Sequence, residues 1–312
     1  MENINNNNNH ESEIDFLEIF NILWLGKWLI FTATFLISIL GVIYSLSLPN
    51  IYQSKALLSP VNPSNSISRS LQNYSGLAGI AGISLPAVVD ESNSAKAIEK
   101  IHSLSFFENK ILPNIFLPDL MALKSWNAKT NNIIYDKNVY SIETNAWIRD
   151  YAFPVKQIPS AQESFKTFKG DIFNATEDVK SGFVTISIKH QSPFVAKEWT
   201  ELVVEEINTF YRNKDKSESE KAISYLNKQI EMTNISEVKQ VISELLQEET
   251  KKLALIEANE FYVFEYIDPP VVMERKSEPK RSIICILSAL LGATFGVILV
   301  LIKHYFVKKR VF

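Results

Sequence analysis

The hydropathy of this 312-residue chain is dominated by two apolar runs, one near each end. Residues 28–48 and 282–302 each extend for 21 residues without a charged side chain. A helix of about 20 apolar residues spans a hydrocarbon core roughly 30 Å thick, because each residue adds about 1.5 Å. The pattern therefore predicts two transmembrane helices. Acidic residues precede the first run, where a signal peptide carries positive charge, so a retained helix is favoured over a cleaved signal peptide.

Two spans would place residues 1–27 and 303–312 on one side of the membrane and residues 49–281 on the other. Charge alone leaves the side open, because basic residues flank the second run at both ends. Long loops translocate largely regardless of charge, so the tail counts for more and favours a cytoplasmic C-terminus. The tail contains Lys303, Lys308, Lys309 and Arg310, and the opposite flank contains Arg275, Lys276, Lys280 and Arg281.

Three short segments around the first apolar run are predicted from their composition. Residues 3–9 are almost pure asparagine and predict a disordered cytoplasmic tail. Residues 13–27 place apolar side chains at helical spacing, which indicates a short amphipathic helix on the cytoplasmic face. Residues 60–94 are rich in Ser, Asn, Pro and Gly without the spacing of a phosphate-binding motif, so they are predicted to form a loop.

Helical and strand patterns alternate between the apolar runs, which predicts an α+β domain with a small mixed sheet. Residues 51–59 are predicted to be a strand, and residues 184–188 alternate apolar and polar side chains as a half-buried strand does. Residues 172–176 are expected to pair with that second strand through a turn. A helix is predicted to start at Pro193, after a serine cap. Five aromatic residues are interpreted as core rather than as sugar-stacking groups: Trp126, Tyr135, Tyr140, Trp147 and Tyr151.

A long helix is predicted over residues 217–258, which contain no proline or glycine. If helical throughout, this segment would form a rod about 63 Å long. Residues 233–236 are poor helix formers and mark the predicted place of a kink or break. The apolar stripe is thin, so we expect this helix to pack against neighbouring copies of the chain. Residues 261–267 then return as a strand that is apolar on both faces, which predicts an interior position in the sheet.

Small residues recur every fourth position in the second apolar run. They are Ser288, Gly292 and Gly296, with Ala289 and Ala293 beside them. Small residues four apart let two helix backbones approach closely in lipid, so this face is a candidate site for packing or for coupling to another membrane protein. The simpler alternative is that the glycines only pack or face lipid, because glycine is more common in membrane helices than in soluble ones.

A proline-containing segment precedes this run and completes a recognisable signature. Pro270 comes first, Pro279 and Lys280 follow, and eleven residues then separate Lys280 from Gly292. This combination resembles the proline- and glycine-rich signature of the Wzz family, the chain-length determinant proteins or polysaccharide co-polymerases. Two positions depart from the family pattern: Met273 stands where a second proline is usual, and Glu278 where serine is usual.

The resemblance implies a topology, an assembly and a role. It implies cytoplasmic termini, a large periplasmic domain and a ring of identical protomers, with an α/β base near the inner membrane and long helices rising from it. It further implies that the protein sets the modal chain length of O-antigen (lipopolysaccharide) or a related surface polysaccharide. Its partners would then be a Wzy-type polymerase and the lipid-linked polysaccharide.

Composition and motifs exclude most chemistry. The net charge is −3, and basic residues cluster only at the membrane flanks, so a nucleic-acid partner is not expected. The one cysteine, Cys285, lies within the second apolar run, and the four histidines share no ligand spacing, so we expect no metal and no cofactor. No nucleophile or zinc-protease motif is present, which predicts a non-enzyme with no catalytic residues.

Three other functions fit the topology less well. A two-span periplasmic sensor or adaptor is disfavoured because no cytoplasmic signalling domain is expected from the sequence. A polysaccharide export component would need a separate cytoplasmic kinase, because only ten residues follow position 302 and no nucleotide-binding motif occurs. A polysaccharide-modifying enzyme is disfavoured by the missing acid–base and nucleophile motifs.

Overall fold

The computed structural model describes residues 16–61, 93–259 and 261–310. The chain divides into two units. One combines the two chain ends, up to Asn50 and from Ser277 onward, and the other is the continuous segment Ile51–Lys276. The predicted asparagine-rich tail and nearly all of the predicted loop over residues 60–94 lie outside the described residues.

The order of elements confirms a mixed fold with a small sheet and long helices. In chain order the α-helices are α1 (Phe16–Leu25), α2 (Lys27–Ser47), α3 (Asn93–Ile101), α4 (Leu104–Phe106), α5 (Leu117–Met121), α6 (Ala161–Thr167), α7 (Pro193–Met232), α8 (Ser236–Ala258) and α9 (Arg281–Arg310). The strands are β1 (Tyr52–Pro60), β2 (Leu123–Asn127), β3 (Asn132–Tyr135), β4 (Tyr140–Ser141), β5 (Ala146–Trp147), β6 (Phe173–Glu177), β7 (Val184–His190) and β8 (Phe264–Asp268).

Within the described residues, α2 and α9 are the two helices long and apolar enough to cross a membrane. Helix α2 begins one residue before the predicted span does and also ends one residue before it. Helix α9 continues to Arg310, eight residues beyond the apolar run, because the following lysine, histidine and aromatic residues are compatible with a helix. The short helix α1 lies within the segment that was predicted to be amphipathic.

The sheet of the continuous unit is antiparallel, with strand order β6-β7-β1-β8. Alternate side chains of β1 and β7, including Ala56, Leu58 and Ile186, are fully buried against α7. Burial of a leucine or isoleucine side chain contributes roughly 1.5–3 kcal/mol. Gly182, with φ +70°, allows the turn between β6 and β7, as predicted for this hairpin.

The prediction that the returning strand is interior is wrong. Strand β8 pairs only with β1 among the described strands and forms an edge of the sheet. The apolar residues just before and at its start, Tyr262, Val263 and Phe264, are buried. They belong to the same core cluster as residues of α7, and this explains the two-sided apolar pattern.

The long helix differs from its prediction in length and in direction. Helix α7 runs without interruption from Pro193 to Met232, so the predicted helix at 193 and the first part of 217–258 are one helix. After residues 233–235 the chain reverses direction, and α8 runs back along α7. The evidence is an ion pair near the far end of α8, where Lys216 Nζ lies 2.8 Å from Glu257 Oε1. Ile242 and Ile256 of α8 are buried. The other apolar residues of the stripe, Ile223, Leu226, Ile230, Val238 and Leu245, are only half-buried, so the chain's own helices cover the stripe in part and packing against neighbouring copies stays a prediction.

Two small hairpins, β2–β3 and β4–β5, hold most of the aromatic residues that were interpreted as core. Tyr140 is buried, and its ring lies 5.7 Å from that of Tyr135 and 5.3 Å from that of Trp147. Trp126 packs edge-on against Tyr52 of β1 at 5.5 Å. Tyr151 is the exception, because it is exposed on the loop after β5.

Candidate functional site

The small-residue face of α9 packs against α2 of the same chain. A Cβ atom added to Gly292 would lie 2.8 Å from the Cα of Thr34, and one added to Gly296 would lie 2.8 Å from the Cα of Ile30. Atoms do not approach that closely without a shift of the backbone, so the helices are close enough that only glycine fits at both positions. Ser288, one turn earlier, lies at the same interface opposite Gly41.

Two further glycines contribute to this interface, Gly26 just before α2 and Gly41 within it. The sequence patterns did not predict a role for either. A Cβ added to Gly26 would meet the side chain of Val300, and one added to Gly41 would meet Ser288. The first fifty residues contain two glycines, and these are the two. Their rarity in and beside the first apolar run could have marked them as contact positions. Small residues on both helices therefore create the contact, as in tightly packed membrane helix pairs.

Two hydroxyl groups at this interface form hydrogen bonds within their own helices. Ser288 Oγ donates to the carbonyl of Cys285 at 2.9 Å, and Thr34 Oγ1 donates to that of Ile30 at 2.8 Å. Hydroxyls that bond back to their own helix add little bulk and leave no polar group unpaired in lipid. The outward faces are apolar and exposed, including Phe35, Leu36 and Leu40 of α2 and Leu290, Leu291 and Phe295 of α9.

The structure places the members of the proline motif in different units. Pro270 is buried in the continuous unit, and next to it the carbonyl of Val271 accepts a hydrogen bond from the buried Ser54 hydroxyl at 3.0 Å. Pro279 and the exposed Lys280 belong to the unit of the chain ends. There the Lys280 carbonyl accepts a hydrogen bond from Ile283 N at 3.0 Å, so both residues lead into α9.

Arg281, the first residue of α9, contacts the segment that follows α2. Its Nη2 donates to Asn50 Oδ1 at 3.2 Å, three residues after the end of α2. If the two helices span a bilayer, a guanidinium beside the end of an apolar helix lies at the depth where lipid headgroups carry phosphate. Its position is consistent with the basic flank noted in the sequence.

Two titratable groups of the continuous unit with shifted pKa values, His190 and Asp119, are held by hydrogen bonds within the unit. His190 is buried, its Nδ1 accepts from Ser192 N at 3.0 Å, and its Nε2 lies 3.1 Å from the carbonyl of Asp119. Burial lowers the pKa of His190 and raises that of the Asp119 carboxyl, which accepts from Tyr135 Oη at 2.5 Å. Within the described parts of the chain, no group of three or more His, Cys, Asp or Glu could hold a metal ion.

One family model matches part of the chain. The family model of Wzz, chain length determinant protein, matches residues 12–110. The resemblance inferred from the sequence is thereby confirmed over this stretch, although the proline and glycine motifs lie outside it. No curated protein matches the sequence.

Two solved structures are similar to the chain at low identity. One, a full-length bacterial polysaccharide co-polymerase, is 13% identical, with 94% of this chain and 99% of that chain covered and a TM-score of 0.41. The other, a fragment of WzzB, polysaccharide co-polymerase from Salmonella Typhimurium, is 14% identical, with 73% and 100% covered and a TM-score of 0.30.

Proposed function

We propose that this chain, which matches the Wzz chain-length determinant family over residues 12–110, is a non-catalytic inner-membrane polysaccharide co-polymerase. In this role it sets the modal length of O-antigen or a related surface polysaccharide. The observation that carries the proposal is the family match together with two apolar helices that bracket one α/β unit. That match supports a role in chain-length control, and the identity of the polymer is the finer part of the proposal.

In the proposed topology both termini are cytoplasmic and the unit Ile51–Lys276 is periplasmic. The basic C-terminal tail supports this orientation, because short basic segments remain on the cytoplasmic side while long domains translocate largely regardless of charge. The family resemblance supports the same orientation. The two apolar helices and the family match together support an inner-membrane protein.

The proposed partners are further copies of the chain, a Wzy-type polymerase and the lipid-linked polysaccharide. Support for the ring of copies comes from the resemblance and from the apolar stripe of residues 217–258, which the chain's own helices cover only in part. The small-residue face is a candidate for coupling through the membrane, since it determines how α2 and α9 present their outer surfaces. Scaffolding rather than catalysis is supported by the match to the chain-length determinant family.

A deletion strain tests this function directly. We expect its surface polysaccharide to lose the modal band on a gel while polymer is still made, and the full-length gene to restore the band. Complete loss of polymer would instead favour an essential export component. An unchanged band pattern would reject chain-length control and favour the sensor or adaptor alternative. A variant that lacks the α9 anchor, expressed at the same level, serves as the control for membrane attachment.

A further inference from the structure

The loop between β5 and α6 exposes an unusual number of apolar side chains. We call residues 150–158 the apolar loop. Phe153 is 97% exposed, Ile158 61% and Tyr151 59%, and Val155 is also exposed. Single exposed apolar residues are ordinary, but several on one short segment mark a surface that contacts something other than water.

Arg149 anchors the C-terminal part of the apolar loop. The Nε atom of Arg149 donates to the carbonyl of Gln157 at 2.8 Å, and its Nη2 donates to that of Lys156 at 2.6 Å. The same guanidinium forms a two-point ion pair with Glu163 of α6, which lowers the pKa of that carboxyl. The base of the loop is thus closed, so its side chains can bind a partner with little loss of conformational entropy.

The aromatic contacts connect this region to one end of the main sheet. Tyr52, the first residue of β1, pairs with His190, the last residue of β7. Tyr52 contacts Trp126 of the β2–β3 hairpin, and His190 contacts the backbone of Asp119. The small hairpins that precede the apolar loop therefore pack at the end of the sheet where β1 begins.

Both connections to the apolar helices leave the continuous unit at this same end. Tyr52 is five residues beyond Ser47, the last residue of α2, and five extended residues reach at most about 18 Å. Strand β8 runs antiparallel to β1 and its continuation reaches Ser54 through Val271. If α2 and α9 span a bilayer, covalent connectivity keeps this end within a short distance of the lipid.

We propose that the apolar loop inserts into the interfacial region of the lipid bilayer and forms a peripheral membrane contact. Tyr and Phe are the residues that occupy this depth, and the exposed Lys156 beside them suits anionic headgroups. Lipid is favoured over a protein partner because the tether keeps a bilayer within reach in every state of the molecule. The contact would help to fix the orientation of the continuous unit on the membrane, whatever polymer the protein regulates.

Tryptophan fluorescence of the full-length protein in lipid nanodiscs tests this contact. Phe153→Trp is compared with wild type, whose five tryptophans supply the background. The matched control is Val179→Trp, at a position that is 96% exposed in the turn between β6 and β7, at the opposite end of the sheet. We expect brominated lipids to quench roughly half of the emission that Phe153→Trp adds, because interfacial groups lie about 5–10 Å deep. The emission that Val179→Trp adds should stay unchanged.

Each other outcome overturns the proposal. A blue-shifted signal that brominated lipid leaves unchanged would place the loop against protein, such as a second copy of the chain. A red-shifted, unquenched signal would place it in water. Tyr151→Trp provides a second probe if Phe153→Trp is poorly folded. The readout does not depend on chain-length control, so a failed polysaccharide test and a failed lipid test are distinguishable.

Discussion

At the scale of single residues, Asn208 has the most demanding position in the continuous unit. It is buried on α7, and its Oδ1 accepts from Val263 N at 2.7 Å and from Phe264 N at 2.9 Å. Its Nδ2 donates to the Phe264 carbonyl at 3.0 Å. The side-chain amide therefore forms the hydrogen bonds that a neighbouring strand would form at the start of β8. On β6, the opposite edge strand, His102 Nε2 lies 3.3 Å from the Ala175 carbonyl, so a side chain contacts the backbone of each edge strand.

Replacing Asn208 with alanine should destabilise the unit by about 2–4 kcal/mol, because buried backbone groups lose their hydrogen-bond partners. Asn213→Ala, on an exposed position of the same helix, is the control and should change stability little. Chemical denaturation of the full-length protein in mild detergent, followed by far-UV circular dichroism, measures the difference. Equal midpoints for the two variants would show that the amide contacts contribute no net stability.

The sequence identifies the apolar neighbours of Asn208 but not its role. Trp199, Val203 and Ile207 repeat at helical spacing and predict the buried face of α7, and all three are buried. A polar residue next to such a stripe is ordinarily solvent-exposed, so nothing in the pattern assigns Asn208 to the core. Its partners lie more than fifty positions away, and a pairing at that separation is determined by the tertiary fold rather than by local periodicity.

At the scale of elements, the sequence predicts where a helix ends but not the direction in which the chain continues. The poor helix formers at 233–236 mark the end of α7 and the start of α8 within one residue. Whether the chain then bends or reverses depends on which apolar faces meet, and a single helical period cannot distinguish these results. The same limit explains β8. An apolar pattern on both faces predicts that both faces of β8 are buried. It does not show whether a strand or a helix covers the second face.

The packing of α9 on α2 leads to a prediction for Gly292 and Gly296. Replacing both with leucine places side chains where the backbones of Thr34 and Ile30 lie, and the two helices must separate. We expect a loss of about 1–2 kcal/mol of helix association, by analogy with model membrane helices. The core of the continuous unit does not involve these residues, so protein levels and the fold of that unit should be retained while the polymer becomes shorter or unregulated.

A gel of surface polysaccharide at matched expression measures this effect. Thr294→Leu adds bulk to an exposed position of α9 and should keep the wild-type pattern, because lipid tails accommodate leucine. If the double glycine variant also kept the wild-type modal band, close helix packing would be unnecessary for length control. The proline segment, with Pro270 and Pro279, would then remain as the candidate functional element.

At the scale of the whole molecule, the most informative sequence features are the two apolar runs. They predict the ends of the chain as one unit and the segment between them as another, and the contacts within the chain divide it at Asn50 and Ser277. The side of the membrane is not encoded as clearly, because basic residues flank α9 at both ends. A direct measurement of topology therefore tests the proposed function more stringently than further inspection of the sequence.

Reporter fusions at Asn138 and at Val311 should behave oppositely. Asn138 is exposed between β3 and β4, so a fusion there should leave the core intact and report a periplasmic position. A fusion at Val311 follows the basic tail and should report the cytoplasm, since positive residues are retained on that side. Alkaline phosphatase and green fluorescent protein at each site supply reciprocal readouts. Like behaviour at the two sites means that α2 and α9 do not both span the membrane. Inverted behaviour would place the continuous unit in the cytoplasm, where it could not act on a periplasmic polymer.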